Sequence, residues 1–331
     1  MRAILLTVLA MGPWVGSGTV REISNIAGLQ RRQVGVLLAA GTAVISGIAI
    51  FVNGYGVRAW VEISDPTTYT TLKNSVAAMI LLGVAVSFSK GRSGGVDLSD
   101  VKKAWPGLAL IAIVGGSIPF VLFFEGLARA TASDASFIHK TLLVWVAVLG
   151  ALILRERIGL VHIAAIALLV GGQVALSGGV GAIEFGAGEW MILAATLLWA
   201  IETVIAKRVL ASVPSHIVGV SRMAGGAVLL VVYGIGRGAF SGLTGVTPEH
   251  VLWIVVTGLT LSAYVATWFA ALARARAVDV TAALVGGAII TALLEVGLRG
   301  VGLPPVLGLV LVAVGVLVVF AAGWRRPVTA Q

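Results

Sequence analysis

Cysteine is absent from all 331 residues, so disulfides, thiol nucleophiles and thiolate metal sites are excluded. Charge is scarce: Asp, Glu, Lys and Arg make up 11% of the chain, against about a quarter in soluble domains. The four histidines form no His-Glu-x-x-His or similar cluster, so neither a catalytic metal nor a cofactor is expected. What is abundant is apolar. The chain is 59% hydrophobic with a mean hydropathy of +1.05, which makes it a membrane protein with the lipid bilayer as its first partner. A net charge of +9 would suit a nucleic-acid partner only if the basic residues gathered on a solvated face with aromatics for stacking. Here they punctuate apolar runs, and no nucleic-acid partner is expected.

A helix needs about 20 apolar residues to cross a hydrocarbon core of about 30 Å. Ten such runs are bounded by charges, Gly or Pro, at about 34–54, 69–88, 107–127, 134–154, 158–178, 188–208, 215–235, 250–272, 279–298 and 304–323. Their sequences, such as PPVLGLVLVAVGVLVVF, do not alternate, which excludes a β-barrel. The fold class is therefore an all-α membrane bundle of ten transmembrane helices. If the runs alternate, residues such as Arg31, Arg32, Arg155, Arg157, Lys207, Arg208, Arg274 and Arg276 share one side, and the other receives only Arg58, Arg129, Arg237 and Arg299. The positive-inside rule then puts both termini in the cytoplasm, in a plasma-membrane protein. Residues 1–33 resemble a signal peptide with a basic start but lack a clean cleavage site. An interfacial helix or an upstream extension fits better, because a cleaved signal would reverse the topology.

One phrase occurs twice. GLARATASDAS at 126–136 and ALARARAVDVT at 271–281 share Leu-Ala-Arg-Ala, an Asp and a hydroxyl residue. The first joins runs three and four and the second joins runs eight and nine. An odd number of crossings separates them, so the second half is expected upside down relative to the first, as two inverted five-helix repeats over 34–178 and 188–323. Lys73 early in run two matches Arg222 early in run seven, and Arg155 matches Arg299 after one indel. Asp134 and Asp279 suit N-caps, and Arg129 and Arg274 suit the C-terminal ends of the preceding helices. The phrase thus reports architecture rather than chemistry.

These halves, the segment LILRERIGLVHIAAIALLVGG at 152–172 and the basic residue opening runs two and seven resemble the drug/metabolite transporter superfamily, EamA-like branch. Leu154, Glu156, Arg157 and Gly171 occupy the places of that family's Leu-x-Glu-Arg signature and the Gly-punctuated helix after it. Three departures stand out: LRGVGLPP lacks the Glu in the second half, the proline often found within the fourth and ninth helices is missing, and Ser46-Gly47 replaces a Trp-Gly. The resemblance implies a secondary carrier or exporter of small metabolites, amino acids or related compounds among them, with no enzymatic activity. It also implies alternating access around a cavity between the halves.

An ionisable group in the hydrocarbon region costs about 2.5–3.5 kcal/mol even on the lenient insertion scale, so it should face a cavity or a partner. By depth, Glu202 and Arg222 lie about 10 Å inside one end of their helices and form an expected inner pair. Lys73, Glu125, His139, Lys140 and Glu295 lie toward the opposite end as an outer layer of both signs, with Lys140 and Glu295 as candidate partners. These groups are read as gates or substrate anchors, with snorkelling to the interface open for Lys73 and Glu125. Glu202 is either the ion partner of Arg222 or a protonatable coupling group. His139 is a proton-coupling candidate or an interface residue. Trp199, Tyr264 and Trp268 could stack on a substrate, and Asn53 and Ser117 could bind one or join helices. A membrane-embedded enzyme lacks a reactive constellation here, a channel would need rings of filter residues, and a non-transporting scaffold stays open. Partners expected are a small-molecule substrate and the bilayer, with a homodimer left open.

Overall fold

The structure is a computed structural model that describes residues 30–89, 98–130, 132–176 and 185–325. The signal-like segment at 1–29 lies outside these residues. Among the described residues, eight helices are long and apolar enough to cross a membrane, and two shorter apolar helices, Phe137–Ile153 and Leu160–Leu176, complete ten. Span 1 is Arg31–Val61, span 2 Pro66–Ser89, span 5 Leu160–Leu176, span 6 Ala187–Val209, span 8 Pro248–Leu272 and span 10 Val306–Arg325. The others are interrupted. Span 3 runs as Trp105–Val114 and Ile118–Leu127, span 4 as Ala132–Lys140 and Leu142–Ile153, and span 9 as Ala277–Val285 and Gly287–Arg299. Span 7 runs as Ser215–Val220 and Gly226–Gly236 around a π-helical turn at Ser221–Gly225.

The bundle packs between repeats far more than within them. Span 1 lies on spans 8 and 9, and span 6 lies correspondingly on spans 3 and 4. Span 2 meets spans 7 and 8, span 7 meets spans 2 and 3, and spans 4 and 9, and 5 and 10, pair with each other. Each contact is mapped onto another, or onto itself, by exchanging the halves. End-to-end contacts show the alternation directly. Arg31 at the start of span 1 donates to the Ala273 carbonyl at the end of span 8, whereas His250 at the start of span 8 contacts the Ala59 carbonyl at the end of span 1. The face where span 1 begins is called the near face and the other the far face. Span 1 leaves the near face and span 6 leaves the far face, so the repeats are inverted.

The doubled phrase has its explanation at these ends. In each half the first span docks on the other half's Leu-Ala-Arg-Ala corner through a glycine. A Cβ on Gly188 would lie 2.9 Å from the Ala130 backbone nitrogen, and one on Gly35 would lie 2.9 Å from that of Ala275. Only hydrogen fits at both positions. The corner's small residues are the surface that the inverted copy packs against, which is how small-residue contacts hold helices where lipid supplies no hydrophobic drive.

Three expectations need correction. Spans 4 and 9 were expected as continuous helices, yet both break, at Thr141 and at Gly286, 145 residues apart like the doubled phrase. The interruption persists without proline; Thr141 turns its hydroxyl onto the Ile138 carbonyl at 2.6 Å. Asp279 is not an N-cap: it sits in the first turn of span 9 with its carboxylate on side chains, and Glu156 caps that helix from the other repeat. The Glu156 carboxylate accepts from the backbone N–H groups of Ala277 at 2.8 Å and Val278 at 3.3 Å. Finally, Arg155 matches Gly300 rather than Arg299. Both adopt left-handed backbone just past their helix, with φ 55° and 66°, and they are 145 residues apart with no indel.

Because the native chain lacks cysteine, single introduced thiols report topology cleanly. Ala128→Cys and Ala273→Cys, at equivalent corners, are expected to react with an impermeant maleimide from opposite sides of sealed vesicles. Labelling from the same side would overturn the inverted arrangement. Separately, Glu156→Ala is expected to lower stability by about 0.5–2 kcal/mol through loss of the cap, read as a lower midpoint in thermal unfolding.

Candidate functional site

Span 3 is broken against the Glu202 side chain, and the break follows from its residues. Pro119 has no N–H, so the Gly115 carbonyl four positions earlier has no intrahelical donor. The indole Nε1–H of Trp199 in span 6 donates to it at 3.1 Å. Ser117 serves the same break, its hydroxyl donating to the Ile113 carbonyl at 3.0 Å. Gly116 and Gly226 of span 7 approach so closely that a side chain on either would collide with the other's backbone. This crossing sets span 7 beside span 3 at the π turn that carries Arg222. Single π turns recur at functional positions because they re-aim one side chain within a helix.

Arg222 and Glu202 form the expected inner pair. Nε donates to Oε1 at 2.5 Å and Nη2 to Oε2 at 3.3 Å, and both residues are buried. The first repeat holds its counterpart at the same spacing. Lys73 Nζ donates to Asn53 Oδ1 at 3.1 Å; the two residues stand 20 positions apart, as do Glu202 and Arg222. The second half thus pairs a cation with an acid, and the first half pairs a cation with a neutral amide. Asn53 is fully engaged, accepting also from Tyr69 Oη at 2.9 Å and donating to the Ala49 carbonyl at 2.8 Å.

An aromatic wall joins the two pairs. Lys73 Nζ lies 4.2 Å from the ring centre of Phe124, 5.1 Å from that of Tyr69 and 5.9 Å from that of Phe120. The Arg222 guanidinium lies 5.4 Å from the same Phe120 ring. Phe120 and Phe123 both contact Trp199, and His139 lies edge-to-face against Trp199 at 5.1 Å. Tyr264 and Trp268 stack at 6.1 Å, with Tyr264 within electrostatic range of the Arg222–Glu202 pair. Lys73 therefore belongs with Arg222 at one centre rather than in a separate outer layer.

The remaining outer-layer residues disperse. Glu295 pairs with Arg299 at 2.8 Å, four residues on in its own helix, and Arg299 also covers the Tyr55 ring at 4.5 Å. Lys140 has no ion-pair partner among the described residues, so the expected Lys140–Glu295 bridge is not formed. A side chain four positions along a helix is reached at little entropic cost, and Arg299 supplies it. Glu125 is the hub of a far-face cluster: it accepts from Arg129 at 2.8 Å, Arg237 at 3.0 Å and Thr67 Oγ1 at 3.0 Å.

A matching near-face cluster was not foreseen. Buried Asp279 accepts from Arg32 at 3.0 Å and from Arg276 at 2.8 Å and 3.0 Å, and lies 3.2 Å from His162. Arg276 also touches His162 and donates to the Arg157 carbonyl at 3.1 Å. Spans 1, 5 and 9 meet there. Beside it Lys207 at the end of span 6 donates to the carbonyls of Leu272 and Ala275, each at 2.6 Å. Phe120, Phe123 and Phe124 were also missed, although their i, i+3, i+4 spacing marks one helix face.

Fold and site together define a multi-pass, all-α membrane protein of two inverted five-span repeats whose cationic centres meet at a shared aromatic wall. The chain belongs to the EamA-like transporter family, whose profile matches residues 33–178 and again 186–321, so the resemblance to the drug/metabolite transporters holds. An uncharacterized transporter of Methanothermobacter thermautotrophicus is 32% identical over 131 residues, 38% of each chain. A WAT1-related chloroplastic protein of Arabidopsis thaliana is 33% identical over 159 residues, 46% of this chain and 37% of that protein. The chain thus matches well under half the length of these relatives. A solved crystal structure superposes with a TM-score of 0.68 over 88% of this chain and 98% of its own, at 18% identity, which speaks to the fold alone.

Removing one member of a buried ion pair costs about 3–5 kcal/mol, because the other is left uncompensated, whereas removing both costs far less. Arg222→Met is therefore expected to destabilise the protein by that amount, and adding Glu202→Leu to restore much of the loss. A double-mutant cycle on unfolding free energies checks this, and additive effects would mean the two groups do not interact.

Proposed function

We propose that this protein is a secondary-active transporter of small metabolites, amino acids or related compounds among them, working by alternating access. The observation that carries the reading is the placement of the two related pairs, Asn53–Lys73 on spans 1 and 2 and Glu202–Arg222 on spans 6 and 7, on either side of the aromatic face of span 3. Inverted repeats have two near-equivalent packings, one open to each side, and a site on their common axis serves both. Each face carries its own latch. The Asp279 cluster ties spans 1, 5 and 9 at the near face, and the Glu125 cluster ties spans 2 and 3 to Arg237 after span 7 at the far face. Both latches are formed here while Lys73, Glu202 and Arg222 are buried, which suits an occluded form. Opening then means releasing one ion-pair hub while the other holds.

The distribution of basic side chains makes the near face cytoplasmic, in the plasma membrane. Glu202 and Arg222 act as the fixed electrostatic pair of the second repeat, Lys73 as the cation of the first, and Trp199, His139, Tyr264 and Trp268 as the walls around them. Glu295 and Lys140 act separately. The test is flux. Compounds that raise the thermal stability of the purified protein, as any ligand of the folded form must, are expected to show saturable counterflow in proteoliposomes. Glu202→Gln and Arg222→Ala are expected to reduce that flux at least about tenfold, since each removes charged hydrogen bonds worth about 1.5–3 kcal/mol. Stabilising ligands with no saturable flux would overturn the transport reading, and full activity in both variants would remove the pair from it.

A further inference from the structure

The substrate class follows from charge at the centre, given the transport reading above. Glu202 neutralises Arg222 through two hydrogen bonds. The residue 20 positions before Lys73 is Asn53, so the related site in the first repeat holds a lysine, 3% exposed, with no acid paired to it among the described residues. Three rings face Lys73, at 4.2, 5.1 and 5.9 Å. Each such contact is worth about 0.5–2 kcal/mol to the protonated amine, and none of them neutralises it. That amine therefore lies where Phe120, Phe123, Phe124 and Trp199 supply an apolar surface of rings packed edge to face or tilted.

We infer that this site binds a small organic monoanion, a carboxylate with an apolar body, whose negative charge meets Lys73 Nζ beside Asn53 while its body lies against the rings of span 3 and Trp199. The bound anion supplies in the first repeat the negative charge that Glu202 supplies in the second. A cation is disfavoured by Lys73. A zwitterion would have to place its ammonium on an acid already held by Arg222, so this inference narrows the metabolites proposed above to carboxylates without an amine. A dianion would keep one charge unmatched.

Three probes share one phenyl body and differ in charge: phenylacetate, phenylacetamide and 2-phenylethylamine. Binding to the full-length protein in nanodiscs of zwitterionic lipid is read by quenching of tryptophan fluorescence. Phenylacetate is expected to bind at least about tenfold more tightly than the amide, as a charged hydrogen bond is worth about 1.5–3 kcal/mol. Lys73→Gln is expected to abolish that preference. Asn53→Asp, which builds into the first repeat the pairing native to the second and keeps the fold, is expected to abolish it too. The inference is overturned if the amide or the amine binds as tightly as the anion, if none of the three binds, or if the preference survives both substitutions. Saturable vesicle flux of the amine without anion binding would leave the transport reading intact while this inference fell. Anion binding without flux of any compound would do the reverse.

Discussion

A charge inside the hydrocarbon layer must be matched within a few ångströms, and that requirement organises the interior of this protein. Matching by an acid, by an amide or by aromatic faces are three solutions of different completeness. The chain uses the first in its second repeat and the other two in its first. Since both repeats descend to the same spans and the same spacing, the difference lies in single residues: an Asn at position 53 where the inverted copy has Glu at 202, and a Lys at 73 where it has Arg at 222. Arginine suits the paired site because its planar fork can meet a carboxylate through two hydrogen bonds, as it does here, whereas lysine presents a compact charge that rings can surround. The backbone follows the same division. Span 7 spends a π turn on aiming Arg222, while span 2 carries Lys73 on an unbroken helix.

That asymmetry is imposed on a framework that is otherwise nearly exchangeable. Lipid offers no hydrophobic drive between helices, so close backbone contact and satisfied polar groups hold the bundle together. Each half supplies what the other lacks. The glycines at 35 and 188 receive the corners at 275 and 130, and Glu156 caps a helix that begins 121 residues later. A cap supplied by the other repeat couples helix stability to the packing of the halves. Whatever separates spans 4 and 9 at the near face exposes two orphan amides together with the Asp279 cluster, so release there would be cooperative rather than gradual.

The crossings, their alternation and the inverted repeat were legible because each depends on composition over twenty residues or on a count, and local error does not accumulate in either. Glu202 and Arg222 were legible for a related reason: depth along a helix is given by a fixed rise per residue. What could not be read was direction around the helix axis and reach across it. Depth alone grouped Glu295 with Lys140, but the nearest cation to Glu295 is one turn along its own helix at Arg299. Asp279 looked like a cap because its position in the phrase was right, and only the three-dimensional arrival of Glu156 displaces it. The breaks at Thr141 and Gly286 were hidden because no proline announces them. The common spacing of 20 residues between Asn53 and Lys73, and between Glu202 and Arg222, was present in the letters, but its meaning needed the hydrogen bonds.

The broken third span shows how the centre and the framework depend on each other. Pro119 frees the Gly115 carbonyl, Trp199 takes it, and the same indole packs on Phe120, Phe123 and His139. Rotating Trp199 to follow a ligand would leave a buried carbonyl unpaired, at about 1–3 kcal/mol, so the wall is held rigid by a backbone defect. Phe120 inherits that rigidity, and Phe120 is the ring that both Lys73 and Arg222 face. Span 3 and span 6, although they belong to different repeats, are thus tied as a unit, with Lys73 on span 2 and Arg222 on span 7 facing the ring they hold in place. The repeats remain inverted in packing, but Glu202 in the second repeat is answered only by the neutral Asn53 in the first, so a nearly symmetric framework holds an electrostatically one-sided centre.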